Sequence, residues 1–72
     1  MKFGSALEAL KSGERIRRVF WPPGVHVRMF RKEGEVGEFL RVPLMAIMMP
    51  DGVYKPWCNN QDDVIEEDWE VA

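Results

Sequence analysis

Seventy-two residues, a formal charge of −2, one cysteine and one histidine set the limits of this chain. The length makes one domain, the lone Cys58 excludes an internal disulfide, and His26 standing alone argues against a Cys/His zinc site. A domain this small is only marginally stable by itself, so we expect a homo-oligomer, with a binding site that subunits can share.

The charge is unevenly placed. Residues 1–41 carry nine Lys or Arg against five acids, and residues 42–72 carry one Lys against seven. The two halves are expected to pack and partly neutralise each other. A nucleic-acid binder more often shows a basic excess over its whole length, so no DNA or RNA partner is expected. Arg15, Arg17, Arg18, Arg28 and Arg31 either lie on solvated strand faces or serve a smaller anion, since the guanidinium fork suits phosphate. The opening Met1, Lys2, Phe3, Gly4 and Ser5 contain no long apolar run, so neither a signal peptide nor a membrane span is expected. With one free cysteine, this reads as a cytoplasmic protein.

In chain order, residues 3–13 read as a short helix. Phe3, Ala6, Leu7 and Leu10 share a face, Ser5 and Glu8 are spaced as a capping box, and Gly13 is a natural stop. Residues 14–21 alternate around Ile16 and read as a strand, which Pro22, Pro23 and Gly24 break. Residues 25–31 alternate again, with Val25, Val27 and Met29 opposite His26, Arg28 and Phe30. Residues 32–37 are charged and glycine-bearing and read as a turn. Residues 44–49 form a continuous apolar run between Pro43 and Pro50, too short for a free helix and suited to a buried strand. Pro50, Asp51 and Gly52 signal a hairpin into Val53, Tyr54 and Lys55. Residues 59–67 read as one or two helical turns, begun near Asp62 or Asp63, with Val64 and Ile65 inward. Trp69, Glu70 and Val71 read as a strand at the sheet edge. The fold class is α+β: one N-terminal helix on a small, mostly antiparallel sheet, with a short helical turn near the C-terminus.

The last third holds the most chemistry. Trp57 is followed closely by Asn59, Asn60, Gln61, Asp62 and Asp63. A flat apolar ring beside amides and carboxylates is what a planar polar ligand such as a nucleotide requires, and a tryptophan in a small domain is equally a core anchor. Met45, Met48 and Met49 beside Ile47 form a soft apolar stripe, read either as core or as an oligomer seam. Catalysis finds little support. His26 has no second histidine, and Cys58 has no adjacent base or cation to lower its pKa. The acids from Asp62 to Asp68 lack the spacing of a calcium loop, and no glycine-rich phosphate loop is present. We expect no enzyme, no metal and no cofactor.

These residues carry a resemblance. Residues 1–18, reading MKFGSALEALKSGERIRR, look like the start of a small phage and prophage family formerly of unknown function. So does Trp21, before which that family has glycine or a similar residue and this chain has Phe20. So does the ending: Asp51, Gly52, Val53, Tyr54, Lys55, Pro56 and Trp57, then Gln61, Asp63, Glu67, Asp68, Trp69, Glu70 and Val71. The chain resembles the second Thoeris anti-defence family over nearly its whole length. That resemblance implies a homotetrameric sponge in the cytoplasm of an infected or lysogenic bacterium. It would sequester a cyclic ADP-ribose isomer made as an immune signal, and some relatives hold cyclic di- or trinucleotides in separate pockets. Where the family has serine and threonine after the tryptophan, this chain has Asn60 and Asp62. The aspartate adds a charge that repels pyrophosphate wherever it faces the pocket.

The ligand-binding set expected is Phe20, Trp21, Arg28, Asn60, Gln61 and Asp63. Phe20 and Trp21 supply rings, Asn60, Gln61 and Asp63 read base or ribose, and Arg15, Arg17 or Arg28 meets phosphate. Trp57 and Trp69 are expected to be structural. Stacking contributes roughly 1–3 kcal/mol per base and a charge-assisted hydrogen bond about 1.5–3 kcal/mol, against the roughly 12 kcal/mol of nanomolar binding. Three readings follow: a nucleotide sponge; a phage accessory module that docks a protein through the methionine stripe and binds no nucleotide; and a small nucleotide hydrolase.

Overall fold

A computed structural model describes residues 1–31 and 43–72. The turn expected over residues 32–37 lies outside the described residues. The elements are α1 (Phe3–Lys11), β1 (Ile16–Arg18), β2 (His26–Phe30), β3 (Leu44–Met48), β4 (Tyr54–Pro56), α2 (Gln61–Ile65) and β5 (Trp69–Val71). Among the described residues the strands form one antiparallel five-stranded sheet, in the order β4-β3-β2-β1-β5. The α+β arrangement is as the sequence indicates, and β5 takes the edge expected of it. No helix among the described residues is long and apolar enough to cross a membrane.

Register decides which side chains meet. Ile16 pairs with Val27 and with Val71, and Val27 pairs with Ile47. Side chains alternate along a strand, so one face gathers Ile16, Val27, Met29, Met45 and Ile47. α1 lies on that face and buries Ala6 and Leu10 completely against Ile16, Val27 and Trp69. The stripe of Met45, Ile47 and Met48 is half-buried within β3, with Met45 and Ile47 packed on this core.

α1 ends as read and is capped differently. The Gly13 N–H donates to the Leu10 carbonyl and the Glu14 N–H to the Ala9 carbonyl, with Gly13 at φ +93°. This paired closure satisfies carbonyls that the helix leaves open, and the positive φ is one that glycine adopts without strain. The expected Ser5–Glu8 capping box does not form. The helix starts one turn earlier at Lys2, which offers no side-chain cap, because the Ala6 N–H already bonds the Lys2 carbonyl. Phe3 is thereby drawn into the first turn, where its ring packs 5.5 Å from Trp69 and 6.2 Å from Trp57. A capping box does occur at α2, formed reciprocally by Asn60 and Asp63.

The expectation that Val64 and Ile65 face inward is overturned: they are 40% and 60% exposed. Asp63 turns inward instead. Its carboxylate serves both the cap and Arg18, and its carbonyl accepts from the Trp69 indole at 2.7 Å. β1 is also shorter than the alternation suggests. It stops at Arg18 because the Trp21 N–H folds back to the Arg18 carbonyl, and Arg17 Nη2 donates to the Val19 and Trp21 carbonyls, both at 3.0 Å. The β3–β4 hairpin forms as read, with Gly52 at φ +85° and the Asp51 carboxylate accepting from the Val53 N–H.

His26 is 6% exposed on the opposite face. A carbonyl only accepts, so Nδ1 carries the proton given to Gly24 O at 2.9 Å, and Nε2 of the neutral ring accepts from the Tyr54 hydroxyl at 2.7 Å. Burial, together with Arg15 and Arg28 nearby, holds this imidazole below its ordinary 6.5 despite the Gly24 hydrogen bond. The unfolded chain therefore takes up a proton at a higher pH than the folded one. The stability that His26 contributes is complete above about pH 6.5 and is lost as pH falls toward the lower folded value. Thermal melts are expected to show the melting temperature dropping from pH 6.5 to 5, and the drop shrinking in His26→Gln.

Candidate functional site

A cavity of about 730 Å³ opens on the side of the sheet that carries Ile47 and Arg18. One wall is the turn at residues 20–22, which brings Phe20 and Trp21. The opposite wall is the segment from Trp57 into α2, which brings Asn60, Asp62, Asp63 and Glu66. Ile47 and Met49 of the β3 region complete the lining. Ligand sites commonly span roughly 300–1,000 Å³, with mostly apolar linings and a few polar groups.

Two tryptophans line the cavity and a third, Trp69, backs them. Trp69 is 1% exposed, and Trp21 and Trp57 pack edge-on against it at 5.5 Å and 5.8 Å. Both therefore have one edge fixed in the core while bordering the open space. Trp57, expected to be structural, does both jobs. Phe20 is 65% exposed, with the Arg18 guanidinium 4.7 Å from its ring centre.

Of the residues expected to bind ligand, Phe20, Trp21, Asn60 and Asp63 come together here. Gln61 is the exposed first residue of α2 and is not among the lining residues. Arg28 is not brought to the cavity. It projects from β2 on the face away from Val27, with its guanidinium 4.7 Å from the Phe30 ring centre, and borders a smaller cavity with Lys11 and Arg31. Arg15 and Arg17 border a third, beside His26. Arg17 is committed to the carbonyls of residues 19 and 21. Its Nε lies 3.4 Å from Glu70, a charge contact without hydrogen-bond alignment.

Among the described residues, the arginine that reaches this cavity is Arg18, which alternates with Arg17 and so shares the face of Ile16. Its Nε and Nη2 form a fork on the two Asp68 oxygens, and Nη1 donates to Asp63 at 3.0 Å. The hydrogen bonds it donates to Asp68 are the main reason its pKa stands above the ordinary value, against the opposing effect of burial. The same bonds hold the Asp68 carboxyl below its ordinary 3.8. One cation between two carboxylates leaves a negative charge over. Asp62 and Glu66 add two more, both on exposed side chains. The cavity thus presents aromatic surface and acceptors for N–H or O–H groups, and among the described residues its charged lining is one arginine and three carboxylates.

The sequence comparisons agree with one another. The whole chain, residues 1–72, matches the family described as the Thoeris anti-defense 2-like domain, Tad2-like. A relative from Bacillus phage SP01, Thoeris anti-defense 2, is 31% identical over 85 residues, covering 100% of this chain and 94% of the relative. The chain therefore belongs to the Thoeris anti-defense 2-like family, with an anti-defence role.

Proposed function

We propose that this protein is a non-catalytic sponge, which binds a cyclic ADP-ribose isomer intact and so blocks an anti-phage immune signal. The observation that carries this reading is a coincidence of place. Trp21, Trp57 and Asp63, three of the positions that carry the family resemblance, line one cavity of about 730 Å³ together with Phe20 and Asn60.

The charge of the lining refines how the ligand sits. The base and ribose hydroxyls enter, with the base against Trp21 and the hydroxyls donating to carboxylates. The phosphates stay toward solvent or meet cations outside this cavity. Sequestration needs tight binding without turnover, and pre-fixed tryptophans reduce the ordering cost of binding.

Titration calorimetry of the purified protein against a panel of cyclic ADP-ribose isomers and cyclic dinucleotides tests the proposal, with chromatography of the ligand recovered after denaturation. Binding followed by recovery of unchanged ligand is expected. Conversion of the ligand would establish an enzyme instead, and heat-silent titrations would leave the protein-docking reading in its place. In the same assay Asp62→Asn is expected to tighten binding of a phosphate-bearing ligand about three- to tenfold at low salt, and by less at high salt, because it removes a screened like charge from the rim. Weaker binding in this variant would show that Asp62 accepts a ligand hydrogen bond.

A further inference from the structure

Arg18 has a place in the cavity that the expected binding set does not give it. Its neighbours come from both the residue 20–22 turn and the α2 segment. It leaves the end of β1 and lies against the Phe20 ring at 4.7 Å. It donates to Asp63, which caps α2 through Asn60. It forks onto Asp68, whose carbonyl accepts from the Val19 N–H at 3.0 Å, just before β5. Its guanidinium carbon is 5.8 Å from the Trp69 ring centre, and Trp69 supports both Trp21 and Trp57. Only 6% of the residue is exposed.

We propose that Arg18 is the positioning residue of this cavity, a planar three-point clamp that fixes the distance between the Phe20–Trp21 wall and the Asn60–Asp63 wall. The inference rests on reading the cavity as the ligand site. Arg18 does not itself neutralise the ligand, because two carboxylates already exceed its charge. Three of its five N–H groups are spent on them, in directions that only a fork supplies. A lysine keeps the charge and gives up the fork. With Asp63 no longer drawn to β1, the Asn60 cap and the α2 segment lose their anchor, and the rings and polar groups no longer face each other at a fixed spacing. Sites of this kind tolerate displacements of only about 0.5 Å.

The test uses Arg18→Lys, with Asp68→Asn as a second variant that replaces one of the fork's two acceptor oxygens by an N–H donor and so loosens the guanidinium that holds Asp63. The first readout needs no ligand: the Trp69 indole N–H resonance and its solvent exchange in nitrogen-15-labelled protein, since that proton is held by the Asp63 carbonyl at 2.7 Å. The second is calorimetric affinity for the nucleotide that binds the parent protein. Both variants are expected to stay folded by circular dichroism, to shift the indole resonance and speed its exchange, and to bind about tenfold more weakly. A lowered melting temperature with unchanged indole exchange would overturn the clamp, because it makes Arg18 merely structural. Wild-type affinity in the variants would overturn it as well. Should the parent protein bind no nucleotide, the sponge reading falls, while the indole measurement still decides whether Arg18 fixes α2. Should Arg18→Lys fail to fold, Asp68→Asn decides by the same two readouts.

Discussion

Trp21→Ala is expected to weaken nucleotide binding about 5- to 150-fold, the equivalent of roughly 1–3 kcal/mol for one base stacked on one ring. The residue suits this role by its mounting. Its backbone N–H is tied to the Arg18 carbonyl, its carbonyl accepts from Arg17, and its ring stands edge-on against Trp69 at 5.5 Å. A ring held on three sides loses little freedom when a ligand covers it, so little of the stacking is offset by ordering. Trp21→Phe keeps an apolar face in the same mounting and is expected to stay within about threefold of the parent, at the lower end of one ring's stacking energy. Phe20→Ala is expected to matter less than Trp21→Ala, because Phe20 is 65% exposed and anchored mainly by Arg18. The variants are compared by calorimetry after near-ultraviolet circular dichroism has established the native fold. Unchanged affinity in Trp21→Ala would remove this residue from the site.

The largest effect on stability is expected from Trp69→Ala. Truncating a buried tryptophan costs about 3–5 kcal/mol. A domain holds roughly 0.05–0.15 kcal/mol per residue, or about 4–11 kcal/mol for 72 residues. One truncation thus removes a large share of the total. Trp69 earns this place by its contacts: Phe3, Trp21 and Trp57 surround its ring, and its indole N–H goes to the Asp63 carbonyl. Trp69→Phe restores most of the volume but leaves that carbonyl without its donor, which costs about 1–3 kcal/mol. Denaturant unfolding at one fixed protein concentration is the appropriate measurement, since any self-association makes stability depend on concentration. The expected order of midpoints is parent, then Trp69→Phe, then Trp69→Ala. An alanine variant that unfolds with the parent would show that the aromatic cluster does not hold the domain together.

The sequence made some features legible because they rest on local rules. Gly13 ends α1 and Gly52 turns the β3–β4 hairpin through their backbone freedom, and the Asp51 carboxylate braces that hairpin by accepting from the Val53 N–H. The apolar run at β3 and the alternation in β2 place those strands within a residue of where they form. The first residue of α1, Phe3, was legible, but its cap was not. The Ser5–Glu8 spacing is a valid local signal, yet tertiary packing of Phe3 on two tryptophans carries the helix past it. The inward turn of Asp63 was hidden for a related reason. Apolar Val64 and Ile65 are the natural candidates for burial, and only the approach of Arg18 and the Trp69 indole makes an aspartate the better one.

The site was legible in part for the same physical cause. Phe20, Trp21, Asn60 and Asp63 stand on short turns and a cap whose neighbours in sequence are also neighbours in space. Arg28 was placed by its chemistry alone, and the two-residue period of β2 turns it to the other face. The same period, applied to β1, points to Arg18 as the arginine beside Ile16's face. What parity could not reveal is that Asp63 and Asp68, distant in sequence, close around its guanidinium.

The central claim is that the cavity between the residue 20–22 turn and α2 traps a cyclic nucleotide without changing it. Calorimetry with cyclic ADP-ribose isomers, paired with chromatography of the ligand released by denaturation, addresses it most directly. Saturable binding and release of the same molecule are predicted. Absence of binding to every isomer at micromolar concentration, or recovery of a cleaved product, would contradict it.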